Sequence, residues 1–164
     1  MDARRETGGG GSGRDTAEPA LEGNHSKVIR HEGGWRWRGV RCEAYKASGS
    51  TWRGMTRREL IGRRGESPLF HVRYFEIDPG GFSSLERHRH EHAVVVLRGR
   101  GEVRLGCGRF AVGVGDVIYV APDDPHQFLC PAQADEPFGF LCIVNAERDR
   151  PVALDGPEAC GICE

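Results

Sequence analysis

The chain has 164 residues, a formal net charge of −1, 38% hydrophobic side chains and seven histidines. That length suits one domain with its own core, and the near-neutral charge gives no global field for nucleic acid or an anionic membrane. No apolar run approaches the roughly 18–20 residues of a transmembrane helix.

Residues 1–33 are rich in Gly, Ser and Arg and poor in apolar side chains, so the composition predicts a disordered leader. Its opening, MDARRETGGGGSGR, lacks the apolar stretch of a secretory signal. The cysteines, Cys42, Cys107, Cys130, Cys142, Cys160 and Cys163, are scattered. Without a secretion signal they imply no disulfide framework, and the expectation is a reduced, soluble, cytoplasmic protein. Cys160 and Cys163 form a C-x2-C pair in the tail 151–164, with no second half-site close by. Cys130 is expected to be a structural thiol.

Residues 34–68 are read as an arm packing on the main domain or on a partner. Trp35, Trp37, Val40, Tyr45 and Trp52 stand there among polar residues. Aromatic side chains are enriched at interfaces, so the arm also suggests a homodimer formed by packing or exchanging such arms. Within it, residues 56–65 (TRRELIGRRG) are expected to be a turn-rich connection.

From residue 69 to about 150, short apolar stretches alternate with turn signals, which reads as an all-β sandwich or barrel. The expected strands are 69–77, 83–88, 93–97, 102–105, 109–112, 116–120, 127–129 and 138–145. Turns are expected at 78–81, 98–101, 106–108, 113–115 and 121–125, where Gly, Pro and Asp collect.

The most informative stretch is Glu86-Arg87-His88-Arg89-His90-Glu91-His92. Alternate side chains of a strand share a face, so Glu86, His88, His90 and His92 have one parity beside an apolar run. Imidazole and carboxylate together suit zinc, iron, nickel, copper or manganese. His90 is ambiguous by position, since it is open to ligation, to proton transfer or to a place in a solvated turn.

The segment from Gly80 to His126 resembles a cupin domain. Gly80, Glu86, His88, His92 and Gly99 reproduce the spacing of the first cupin motif, G-x5-H-x-H-x3-4-E-x6-G. The second motif, G-x5-P-x-G-x2-H-x3-N, is approached by GDVIYVAPDDPHQFLC. There Gly115 opens the motif and His126 falls in register as the last histidine. Ala121, Asp123 and Cys130 replace the usual Pro, Gly and Asn. Glu86 stands where the motif has His, and His92 where it has Glu, so the donor inventory is conserved with two positions exchanged.

The resemblance implies a jelly-roll barrel, a double-stranded β-helix, with Glu86, His88, His92 and His126 around one divalent transition metal. It also implies a metalloenzyme of dioxygenase or isomerase type acting on a small molecule; His90, close to the metal, is the candidate catalytic residue for proton transfer. A non-catalytic module that senses a small molecule or metal is the alternative. Neither a nucleic-acid nor a membrane partner is expected, and His71 is given no role.

Overall fold

The computed structural model describes residues 26–47, 49–66 and 69–154. Among these there is no helix, hence none long and apolar enough to cross a membrane. The strands are β1 (Glu43–Ala44), β2 (Arg53–Ile61), β3 (Phe70–Phe82), β4 (Glu86–Arg87), β5 (His92–Arg98) and β6 (Arg100–Leu105). They continue as β7 (Gly108–Gly113), β8 (Val117–Val120), β9 (His126–Leu129), β10 (Phe138–Asn145) and β11 (Val152–Ala153). All pairings are antiparallel in one curled sheet of order β11-β4-β9-β3-β10-β5-β8. β2 adds to β3, β1 to β2, and the β6–β7 hairpin to β9. The all-β jelly-roll expectation holds.

Alternation sets which face is inside. On β5, His92, Val94 and Val96 are buried; on β8, Ile118 and Val120 are buried while Val117 and Tyr119 face out. Register aligns these inward positions: Val94 lies opposite Ile118 on one side and Cys142 on the other, and Val96 lies opposite Phe140. The barrel floor is aromatic. Phe140 contacts Phe75, Phe128 and Phe138 with ring centroids 5.7, 4.8 and 5.1 Å apart. Each such pair contributes about 0.5–1.5 kcal/mol beyond its buried area.

Three expectations need correction. The turn at 78–81 is instead part of β3, which runs through it. Gly80 takes φ 76 there, and the β2–β3 register slips between Arg53 and Met55. Past this bulge β3 leaves β10 and meets β9 while Phe82 still pairs with Arg53 of β2, and Gly80 and Ser83 donate to the carbonyls of Cys130 and Phe128. Next, the strand expected at 83–88 shrinks to Glu86–Arg87. Ser83 Oγ accepts the Phe128 N–H at 2.9 Å and donates to the Ser84 carbonyl at 3.1 Å, so side-chain bonds replace ladder bonds. Last, residues 56–61 are no connection but most of β2, paired with β3 along its length. Cross-strand pairing overrides the weak strand preference of so charged a segment.

The aromatic arm lies on its own barrel. Trp35 stacks on Tyr74 at 5.3 Å and 3°, Trp37 tilts onto the same ring at 5.0 Å, and Arg98 lies over Trp35. Tyr74 is thereby fully buried on the outer face of β3. Of the expected leader, residues 1–25 lie outside the described residues. Residues 26–33 are more ordered than their composition suggests: His31 bridges to Trp37, and Lys27 pairs with Glu66 at 2.9 Å.

Candidate metal centre

The two motif segments meet because β4 and β9 are neighbours, with Glu86 directly opposite His126. His92 opens β5 between Val120 of β8 and Val144 of β10. His88 and His90 occupy the short turn between β4 and β5. A second turn, 121–125, carries His126. Within it Asp123, at the glycine position of the motif, adopts φ 63, and its N–H donates to the His88 carbonyl at 2.8 Å. Asp is one of the few residues that tolerate this left-handed conformation, which explains how the exchange is accommodated.

The sequence-predicted residues converge. Glu86, His88, His90, His92 and His126 are 3–9% exposed and all line one cavity of about 210 Å³. One ligand atom from each of His88, His92 and His126 lies within 4.8 Å of the others. Glu86 shares the cavity but stands outside that group. Its Oε2 accepts from Lys46 at 2.6 Å and its Oε1 from the Tyr45 hydroxyl at 3.1 Å. Lys46 also donates to Ser84 Oγ at 3.0 Å. His90 stacks on His88 with centroids 3.6 Å apart, and its Nδ1 lies 2.8 Å from Asp149 Oδ1. The Cys160/Cys163 pair lies outside the described residues.

The donor set fits a metal ion. His88 Nδ1 bonds the His90 carbonyl at 2.7 Å, and His126 Nδ1 the Asp124 carbonyl at 2.9 Å. A carbonyl only accepts, so both Nδ1 atoms carry the proton and both Nε2 atoms present a lone pair to the cavity. His88 Nε2 and both ring nitrogens of His92 are buried without a hydrogen-bond partner. Burial, then the neighbouring imidazoles, lower the pKa of His88 to about 4. Burial first also lowers His92 and His126. Neutral imidazoles are the ligating form.

Sequence reasoning missed several groups of the cavity. Tyr45 was visible only as an arm aromatic, and Lys46 only as one of two lysines. Arg57, Arg73, Cys142, Arg148 and Asp149 also line the cavity. Asp149 is held well below the usual carboxylate range, first by the Arg89 N–H and then by the His90 ring. Burial drives the Tyr45 phenol well above its ordinary value, helped by the Glu86 charge. None of these belongs to a local motif; the chain after β1, strands β2, β3 and β10, and the chain after β10 bring them in.

Comparison with known proteins agrees with this geometry. The family described as "Cupin domain" matches residues 73–144. A 1-methylthio-D-xylulose 5-phosphate methylsulfurylase of Rhodospirillum rubrum is 47% identical over 118 residues, covering 71% of this chain and 73% of that protein. A solved cupin-2 domain, also from Rhodospirillum rubrum, is 40% identical with a TM-score of 0.66, covering 80% of this chain and 84% of that one. A cupin 2 conserved barrel domain protein from Rhodopseudomonas palustris is 36% identical with a TM-score of 0.69, covering 79% and 88%. The chain belongs to the cupin family.

Proposed function

We propose that the chain is a metal-dependent enzyme acting on a small carbonyl compound, of the phosphorylated ketose class named in the methylsulfurylase relative. The observation that carries this reading is the set of buried, neutral imidazoles of His88, His92 and His126, with the His88 and His126 tautomers fixed by backbone carbonyls. A divalent transition ion held by them would supply Lewis acidity toward a substrate carbonyl.

The chain's own residues supply the rest. Asp149 accepts the Nδ1 proton of His90, which leaves His90 Nε2 free to take or return a proton at the carbon beside the carbonyl. The Asp149 carboxylate also offsets the charge His90 gains on protonation. Glu86, clamped by Lys46 and Tyr45, is a fixed negative charge next to the ion rather than a ligand of it. Tyr45, Met55 and Phe75 wall one side with apolar surface and exclude water there.

The test is turnover of 1-methylthio-D-xylulose 5-phosphate, with solvent deuterium exchange into D-xylulose 5-phosphate read by NMR. Both should depend on added Mn, Fe, Zn, Ni or Cu and stop on chelation. No turnover and no exchange with any of these metals would overturn the reading.

A further inference from the structure

We propose that Arg57, Arg73 and Arg148 form an anion-holding subsite of this cavity that takes the phosphate monoester of the substrate. Its reacting end would then lie toward the three histidines. The inference deepens the proposed function and rests on its claim that this cavity is the substrate site.

Register places Arg57 and Arg73 on the inward face of the barrel, while Arg148, itself exposed, borders the cavity from the chain after β10. Arg57 lies opposite Phe75, and Arg73 lies between Cys142 and Glu59, on the same face as the buried Met55, Phe75 and Ile77. Arg148 follows β10 and reaches the same cavity. Inward guanidinium groups are costly unless something accepts from them. Yet Nε of Arg57 and Nε of Arg73 are both buried without an acceptor. Arg73 Nη2 reaches only the Cys142 sulfur, a weak acceptor, at 3.3 Å, and the guanidinium lies over the Phe75 ring.

The nearby acids Glu43 and Glu59 line a different cavity, and Glu59 keeps one buried oxygen, Oε1, without a hydrogen-bond partner. Glu43 takes Arg57 Nη2 at 2.9 Å and also Arg63 at 3.1 Å. Glu59 takes Arg63 at 3.0 Å and faces His71 at 3.4 Å. Among the described residues, no carboxylate lies within 4.0 Å of Arg73 or Arg148. Arg148 Nη1 meets His71 Nδ1 at 3.2 Å. Burial, then the charge of Arg73, lower the Arg148 pKa, which fits like charges converging on one space.

A phosphate monoester brings close to two negative charges and three acceptor oxygens. That matches two orphaned guanidinium donors plus a third cation better than a single carboxylate does. The substrate named for the methylsulfurylase relative carries such a group. The basic wall stands on β2, β3 and the chain after β10, whereas the histidines stand on β5, β9 and the turn before β5. A ketose phosphate would span the two.

Isothermal titration of the full chain with D-xylulose 5-phosphate, D-xylulose and inorganic phosphate, with and without metal, tests this. The phosphate ester should bind about tenfold or more tighter than the free sugar. Arg73→Gln and Arg57→Gln should each cut phosphate-ester affinity about tenfold, with metal content and free-sugar affinity unchanged. Arg73→Lys should recover part of the loss, and Arg109→Gln, on β7, should lose nothing. If Arg73→Gln melts out, Arg148→Gln carries the same expectation. Inorganic phosphate should still bind when metal is removed, so failure of the metal reading leaves this result standing. Equal affinity for ester and sugar overturns the subsite. So does undiminished ester binding in Arg73→Gln, or an equal loss in Arg109→Gln.

Discussion

His88 and His90 are stacked face to face, 3.6 Å apart and 8° from parallel, while His88 Nδ1 bonds the His90 backbone carbonyl at 2.7 Å. The turn between β4 and β5 thus keeps two side chains of equal parity pointing inward after the strand has stopped. It divides their roles as well: His88 presents Nε2 to the cavity centre, and His90 is tied to Asp149 at its edge.

That division predicts a split in the variants. His90→Gln and Asp149→Asn should lower turnover about 10²-fold or more while metal content stays at the wild-type level, because proton transfer and not ligation is lost. Metal loss from either variant would place these residues in the ligand set.

Glu86 gives a second separation. Glu86→Gln should retain metal, because both carboxylate oxygens already serve Lys46 and Tyr45. Lys46→Ala leaves the buried carboxylate without its cation and should cost about 1–3 kcal/mol, less than a fully buried pair because Lys46 is part-exposed. Chemical denaturation and elemental analysis check both. Metal loss in Glu86→Gln would make Glu86 a ligand, as the motif spacing alone suggests.

The pH dependence of metal affinity follows from burial. Protons compete with the ion for imidazole, and that competition begins only near each folded-state pKa. His88 is lowered to about 4, with His92 and His126 shifted the same way. Affinity should therefore begin to fall at a lower pH than three ordinary histidines would give. A decline already under way at about pH 6.5, measured by competition with a chromophoric chelator, would mean exposed, ordinary histidines.

At the barrel corner, Gly81→Ala should destabilise by about 1–3 kcal/mol. A Cβ there would meet the Arg53 carbonyl oxygen at 2.6 Å and that of Asp78 at 2.9 Å, and neither backbone group can move aside freely. An unchanged melting temperature would refute the close approach of β2 and β3 at that bend.

Strand parity made Glu86, His88 and His92 legible as one face, whereas His126 joined them only through the resemblance to the cupin motifs. Strand ends on β5 to β10 were legible from local pattern. Less legible was β2, whose charged sequence forms a strand only because β3 is there to pair with. The Gly80–Gly81 corner resembles a turn in sequence, since a bulge and a turn need the same residues. Arg57, Arg73, Arg148 and Asp149 carried no local signal. They belong to the site through register and chain return alone.

Elemental analysis of the purified full chain decides whether His88, His92 and His126 hold a metal. The wild type should carry about one divalent transition-metal ion per chain. A hundredfold excess of that ion over Kd should add about 2.7 kcal/mol of stability. His88→Ala and His126→Ala should each lose nearly all bound metal together with that stabilisation. A wild-type chain that takes up no metal and shows no metal-dependent change in melting would rule out a metal centre, and full occupancy in either variant would remove that histidine from the ligand set.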